Sequence, residues 1–260
     1  MTKILKRTAV ILCGGRGTRL GLLGKKIPKT LIKIQGQAIL WYIVNVLKIN
    51  NFNHFILPVG YKGQMIKNFI KKKNLFKKLD IEIIDTGLNT NIAQRLEKIK
   101  KKITTKSFLL LNGDGIFNFN IKKLFDLHFD NNKNITFIGS QTQLPYGVIG
   151  VINNKVKSFD RNITFNAVLK KNLRYFKGYL YSGMSIINSN LLKLNFKHFE
   201  NFEKEFYPLA IKKGKADFKN LNGFWHSVDN LKDIEILDQD KKKKTDIKKL
   251  KKLILRKNEE

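Results

Sequence analysis

The chain has 260 residues, 42% of them hydrophobic, and 51 Lys+Arg against 20 Asp+Glu give it a formal charge of +31. That apolar content excludes wholesale disorder, and the lack of any run of about 18 apolar residues excludes a membrane-spanning helix. A single cysteine, Cys13, excludes an internal disulfide and a cysteine metal cluster. The first apolar stretch, residues 9–13, is too short for a signal peptide and runs into glycines, so a cytoplasmic setting is expected. The charge is carried by 44 Lys and only 7 Arg, and it recurs at 71–73, 100–102, 241–244 and 248–252. A nucleic-acid reader gathers its charge on one face and favours Arg. No dedicated nucleic-acid or membrane partner is therefore expected, and the field points instead to an anionic partner whose encounter rate it raises.

In chain order, residues 8–13 are a short apolar run that reads as a buried parallel strand. Residues 14–29 read as a long loop. A helix is predicted over 38–49, a strand over 54–59, a helix over 63–72, a strand over 81–85, an amphipathic helix with a basic face over 91–103, and a buried strand over 107–112. Strands alternating with helices argue for βαβ units and a parallel sheet with helices on both faces. After about residue 135 the pattern shifts to short strands at 135–139, 148–151 and 155–160, with Asn153-Asn154 as a hairpin turn. A strand at 180–188, a helix at 202–212, a strand at 217–220 and helices at 230–240 and 246–256 complete the reading. The expected organisation is one domain over 1–240 and a basic helical tail over 241–260.

The segment Gly14-Gly15-Arg16-Gly17-Thr18-Arg19-Leu20 follows the first strand, and Pro28-Lys29 comes ten residues later. Three glycines in four positions let the backbone approach a polyanion and aim N–H groups at it. Arg19 and Lys29 add fixed charge of the kind a triphosphate needs. The segment is neither G-x-G-x-x-G nor a P-loop, and a flexible surface loop satisfies the same residues. Asp114 follows the strand at 107–112, at the carboxyl end where ligands of open α/β sheets bind. Asp229 comes more than a hundred residues later. Two carboxylates are natural anchors for a hard cation on a phosphate chain. Each also has a local reading: Asp114 as a turn former in Asn-Gly-Asp-Gly, and Asp229 as a helix N-cap.

Leu12-Cys13-Gly14-Gly15-Arg16-Gly17-Thr18-Arg19-Leu20 followed by Pro28-Lys29-Thr30-Leu31 resembles the signature of the sugar-1-phosphate nucleotidyltransferases, A-G-G-x-G-T-R-L … P-K-P-L. Gly60-Tyr61-Lys62-Gly63, Asp85-Thr86-Gly87, Asn112-Gly113-Asp114-Gly115 and Gly223-Phe224-Trp225-His226-Ser227-Val228-Asp229 arrive in the family's order over residues 8 to 240, and are similar to the glucose-1-phosphate cytidylyltransferase branch. The resemblance implies a Rossmann-like, doubly wound α/β fold with a mainly parallel, mixed sheet. It implies an enzyme joining an NTP to a sugar 1-phosphate, with Mg²⁺ held by Asp114 and Asp229. Arg19 and Lys29 would be catalytic, and Gly14, Gly15, Gly17, Thr18, Gly87 and Gly113 would contact the nucleotide. It favours CTP and glucose 1-phosphate, and by association the synthesis of surface-glycan precursors.

Some positions depart from the pattern. The family's T-G-G-R-L is here Ile92-Ala93-Gln94-Arg95-Leu96, its E-K-P gives way to Ser158-Phe159-Asp160-Arg161-Asn162, and its N-G-G becomes Tyr181-Ser182-Gly183. Arg161 and Gly183 are the candidates for the sugar phosphate. Phe202-Glu203-Lys204-Glu205-Phe206 is similar to the heptose-1-phosphate guanylyltransferases. A guanylyltransferase acting on a mannose- or heptose-type 1-phosphate, or a non-catalytic homologue that binds nucleotide sugar, is therefore the alternative. A homo-oligomer is left open.

Overall fold

A computed structural model of the protein describes residues 6–72, 76, 79–140, 148–160, 167–171 and 174–259. The first half contains β1 (Thr8–Leu12), α1 (Gly21–Lys26), the two-residue strands β2 (Lys33–Ile34) and β3 (Gln37–Ala38), α2 (Ile39–Ile49), β4 (His54–Val59), α3 (Gly63–Lys72), β5 (Asp80–Asp85), α4 (Ile92–Ile99) and β6 (Ser107–Asn112), and apart from α1, β2 and β3 it alternates as its hydrophobic periodicity predicts. The second half contains β7 (Gly115–Asn118), α5 (Ile121–Asp130), β8 (Ile135–Ser140), β9 (Val148–Ile152), β10 (Lys155–Asp160), β11 (Ala167–Lys171), β12 (Arg174–Gly178), β13 (Leu180–Asn188), α6 (Phe202–Lys212), β14 (Ala216–Asn220), β15 (Phe224–Ser227), α7 (Leu231–Gln239) and α8 (Lys241–Glu259).

Seven strands form one sheet in the order β14-β8-β13-β6-β1-β4-β5. β1 lies parallel to β4 and β6, β4 parallel to β5, and β14 parallel to β8, while β13 alone runs against its neighbours β6 and β8. The doubly wound, mainly parallel mixed sheet is thus the fold. Its central strands alternate between two cores with the period of two that strands impose. From β1 and β6, Ala9, Ile11, Leu109 and Leu111 point to the face covered by α2, while Val10, Phe108 and Leu110 point to the face covered by α4 and α6. Each fully buried Leu, Ile or Phe contributes about 1.5–3 kcal/mol relative to exposure.

Several segments differ from the sequence expectation. Residues 14–29 are not one loop, since they hold a 3₁₀ turn at Thr18–Leu20 and the short helix α1. Its glycines Gly21 and Gly24 hide it from any periodicity argument. α5 is absent from the sequence expectation, since its buried face is carried by Ile121, Phe125 and the polar His128 and gives a weak apolar stripe. α4 stops at Ile99, where three lysines continue as a 3₁₀ turn. The Asn153-Asn154 turn does form, with φ of 49° and 61° at the two residues and β9 antiparallel to β10. α8 lies along the molecule through Ile247, Leu250 and Ile254, which are buried in the same core as α2. No helix among the described residues is long and apolar enough to cross a membrane.

Candidate active site

The strand order reverses direction beside β1: the chain leaves it for β4 on one side and returns to β6 on the other. Ligands of open α/β sheets bind outside the carboxyl ends of the strands at such a switch point. The glycine segment leaves the carboxyl end of β1, and Asp114 leaves that of β6. Between them lies a cleft of about 770 Å³, lined by residues 12–17, Lys29, Thr30, residues 88–92, Arg95, residues 112–114 and residues 200–203.

The glycine segment is built for close approach. Gly17 has φ 61°, the left-handed region that costs other residues about 1 kcal/mol or more. At Gly14 a Cβ would run into the Arg95 guanidinium. Gly15 is exposed on the rim and Gly113 packs on the Leu12 carbonyl, to which its N–H donates at 3.1 Å. Thr18 and Arg19 are exposed just beyond the rim. Across the mouth, Arg16 Nη2 donates to Asn89 Oδ1 at 2.7 Å, and the Asn91 side chain donates to the Phe199 carbonyl at 2.8 Å, joining the 88–92 loop to the start of α6.

The decisive geometry lies at the opposite wall. Lys29 Nζ donates to Asp114 Oδ2 at 2.8 Å and to Asp229 Oδ1 at 2.9 Å. Two carboxylates far apart in the chain therefore converge on one cationic atom, Asp114 and Lys29 lining the cleft and Asp229 reaching them from outside its lining. A non-local pairing brings them together: β15 runs antiparallel to β7, with Ser227 opposite Gly115, and the Val228 N–H donates to the Asp114 carbonyl at 2.9 Å. Asp229 Oδ2 accepts from Ser227 Oγ at 2.9 Å, and Arg19 Nη1 stands 3.9 Å from Asp229 Oδ1. Burial of the Lys29 ammonium opposes its charge, but the Asp114 carboxylate outweighs that, with Asp229 adding to it, so the lysine pKa stands above its ordinary value. Burial is the largest influence on Asp229 and works against its charge, but the hydrogen bond and charge of Lys29 together with Ser227 and Arg19 outweigh it and hold that carboxyl below the usual range.

The donor chemistry suits a hard divalent cation. The oxygens of Asp114 and Asp229 reach a common point, and no group of three or more His, Cys, Asp or Glu among the described residues could enclose a metal. Two carboxylates with the remaining oxygens left to phosphate and water is the pattern Mg²⁺ takes on nucleotides.

Of the other expected residues, Gly87 lies in the turn after β5, its N–H donating to Asp85 Oδ1 at 2.9 Å. Gly183, with φ 75°, sits in the β13 bulge against the Asn112 side chain. Neither lines the cleft. Arg161 lies outside the described residues. Burial pushes the Cys13 thiol up to about 12, which removes it as a nucleophile at neutral pH. Burial, with Lys243 adding to it, brings His226 down to about 4 and leaves it neutral.

Sequence reasoning gives no role to one residue of the cleft, although it stands where the family's T-G-G-R-L has its arginine. Arg95 is 5% exposed and reaches from α4 beneath the glycine segment. Its Nη2 donates to the Gly14 carbonyl and its Nη1 to the Val59 carbonyl, both at 3.1 Å, and Nη1 also donates to Thr86 Oγ1. No carboxylate lies within ion-pair distance among the described residues, and burial lowers its pKa. The other available signal was its place on the apolar face of α4, between Ile92 and Ile99.

Residues 8–243 match the model of the family described as nucleotidyl transferase. The chain belongs to that family. It is an enzyme of the sugar-1-phosphate nucleotidyltransferase type, similar to a probable glucose-1-phosphate cytidylyltransferase of Bacillus subtilis, with 29% identity over 87% of this chain and 92% of that protein. It is also similar to the catalytic subunit beta of mannose-1-phosphate guanylyltransferase of Drosophila melanogaster, with 27% identity over 86% of this chain and 60% of that one. Among solved structures it shares the fold of HddC from Yersinia pseudotuberculosis, with a TM-score of 0.65 and 21% identity over 88% of this chain and 96% of that one; HddC is also known complexed with GMP-PN.

Proposed function

We propose that the protein transfers a nucleotidyl group from CTP to glucose 1-phosphate or a related sugar 1-phosphate. The observation that carries this reading is the convergence of Asp114 and Asp229 on Lys29 beside a glycine segment that leads into a cleft. An oxygen of the sugar phosphate attacks the α-phosphorus of the NTP, and the bond from that phosphorus to the bridging oxygen of the β-phosphate breaks. The products are an NDP-sugar and pyrophosphate, and no covalent intermediate on the protein is needed.

Positioning and charge neutralisation then supply most of the rate. The amides of Gly14, Gly15, Gly17 and Thr18 cradle the phosphates, and Gly113 in the cleft lining borders the nucleotide, while Gly87 reaches it only through the adjoining 88–92 loop. Arg19 neutralises the departing pyrophosphate and Lys29 the α-phosphate. Arg95 keeps the Gly14 carbonyl turned into the protein, so that the amides of the segment face the cleft. Asp114 and Asp229 would hold Mg²⁺, which when bound neutralises charge shared between the α-phosphate and the leaving group. Arg161 and Gly183 are assigned to the sugar phosphate.

CTP is favoured by the Gly223–Asp229 motif and by the cytidylyltransferase relatives. GTP with a mannose- or heptose-type 1-phosphate is the second reading, supported by the guanylyltransferase relatives and by the Phe202–Phe206 segment, whose first two residues line the cleft. Pyrophosphate release from a panel of NTPs and sugar 1-phosphates with Mg²⁺, with the product identified by mass, tests both. CTP with glucose 1-phosphate is expected to turn over fastest. Release with no combination would leave a binding protein and overturn the enzyme reading.

A further inference from the structure

We infer that Lys29 is the resident counter-ion of the Asp114–Asp229 pair, and that the site takes its divalent cation only together with the triphosphate, by exchange of ammonium for metal. The inference rests on the nucleotidyl-transfer reading above. The Lys29 side chain is only 18% exposed and its ammonium bonds both carboxylates at 2.8 and 2.9 Å. The Asp229 carboxylate and the backbone of both aspartates are anchored independently of it. Asp229 accepts from Ser227 Oγ, its N–H donates to Asp233 Oδ2 at 2.7 Å, and Val228 N–H holds the Asp114 carbonyl. The Lys29 backbone is fixed as well, in a 3₁₀ turn where Leu31 N–H donates to the Pro28 carbonyl at 2.9 Å and Ile32 N–H to the Lys29 carbonyl at 3.1 Å. The movable member is the lysine side chain, a compact charge on a flexible four-carbon stem.

Electrostatics then set the order of events. With Lys29 in place and Arg19 3.9 Å from Asp229, the two carboxylate charges are already matched. A free divalent ion would enter beside a like charge, with no third protein ligand among the described residues to reward it. A triphosphate changes both terms: it brings oxygens that complete the coordination, and it offers the ammonium new anionic partners. The same lysine thus guards the carboxylates in the empty enzyme and moves onto the phosphates in the loaded one.

The test is Mn²⁺ binding to the full-length, nucleotide-free protein, followed by the paramagnetic resonance of the free ion. Lys29→Met is expected to bind Mn²⁺ about ten-fold tighter than wild type or more, the scale of ordinary coupling between two ligands. Adding Asp229→Asn to Lys29→Met removes the gain. Wild type binds Mn²⁺ tightly only when CTP is present. A Lys29→Met protein that binds Mn²⁺ no tighter than wild type overturns the exchange, and Lys29→Gln decides the matter if the methionine variant does not fold. The two failures are separable. Wild-type pyrophosphate release with no Mn²⁺ gain in the variant sinks the exchange alone, whereas a gain without turnover by any NTP sinks the transferase reading.

Discussion

The cleft contains one half-buried and one buried cation held in opposite ways. At one wall Lys29 is bracketed by two carboxylates, so its charge is matched and a better-matched ligand set can replace it. On the floor Arg95 has, among the described residues, only carbonyl and hydroxyl acceptors, from Gly14, Val59 and Thr86. Those acceptors use the geometry of the guanidinium fork without neutralising it. The first arrangement suits a charge that must be traded during a reaction cycle. The second suits one that must never move, whose field serves an anion arriving above the glycine segment. The difference predicts that mutations at the lysine wall lower turnover while leaving the fold, and that mutations of the arginine lower stability and nucleotide affinity together.

The largest effect is expected at the lysine wall. Asp114→Asn keeps the shape of the side chain but removes a charge from the proposed cation site, and kcat is expected to fall about 10³-fold, on the order of 4 kcal/mol. Far-ultraviolet circular dichroism should stay unchanged. A loss of less than ten-fold would remove Asp114 from the site and with it the contrast between the two walls.

The next effect belongs to the floor. Arg95→Met leaves the Gly14 carbonyl without its guanidinium donor, while the Val59 carbonyl keeps the Thr86 N–H and Oγ1 donors, and is expected to destabilise by about 1–3 kcal/mol, with a rise of roughly ten-fold in KM for the NTP. Arg95→Lys restores charge but not the fork, so it should recover only part of the affinity. Full recovery by lysine would show that the floor needs charge alone, and the contrast would have to be redrawn. Chemical denaturation and initial rates at varied NTP supply both numbers.

These two walls were not equally legible in the sequence. The strands β1, β4 and β6 announce themselves as apolar runs, the glycine segment by its composition, and Asp114 by its place after a buried strand. Asp229 could be named as a partner only through resemblance, because hydrophobic periodicity reveals elements and not which of them pair across a hundred residues. The β7–β15 pairing that brings it to Asp114 joins Gly115–Asn118 to Phe224–Ser227, and short segments of that kind carry almost no local signal. Arg95 was harder still. An arginine in an amphipathic helix reads as solvated, and the signals against that are its alignment with Ile92, Leu96 and Ile99 and its place at the arginine of the family's T-G-G-R-L. The helix α1 was lost for a third reason, since glycines at 21 and 24 contribute no side chain to a pattern.

Acid offers a smaller and more selective perturbation of the lysine wall. The Asp229 pKa is depressed in the folded protein, chiefly by the Lys29 hydrogen bond acting against burial. Its contribution is therefore present above the unfolded aspartate value, about 3.9, and is lost as pH falls through the lower folded value. The Asp229 side chain is 45% exposed, so solvent screening keeps the contribution under about 1 kcal/mol. Wild type and Asp229→Asn should accordingly differ in melting temperature at pH 6, with the gap starting to close below about pH 4 and vanishing only below the depressed folded value. A difference that persists unchanged at pH 3 would mean that the asparagine acts through packing and not through the lost charge.

The smallest effect sharpens the contrast from a residue that is neither charged nor paired. Thr30 follows Lys29 where the family's signature has proline. It is 4% exposed, and its Oγ1 is buried without a hydrogen-bond partner among the described residues. A buried hydroxyl left unpaired costs about 1–3 kcal/mol, and replacing it by a methyl group of the same shape recovers part of that. Thr30→Val should therefore be neutral or stabilise by about 1 kcal/mol, with kcat and KM unchanged, because the backbone turn that aims Lys29 does not use the hydroxyl. If the valine instead raised KM for the NTP ten-fold, the hydroxyl would be a ligand that the empty cleft leaves unpaired, and the lysine wall would contain one more group that changes partner when substrate binds.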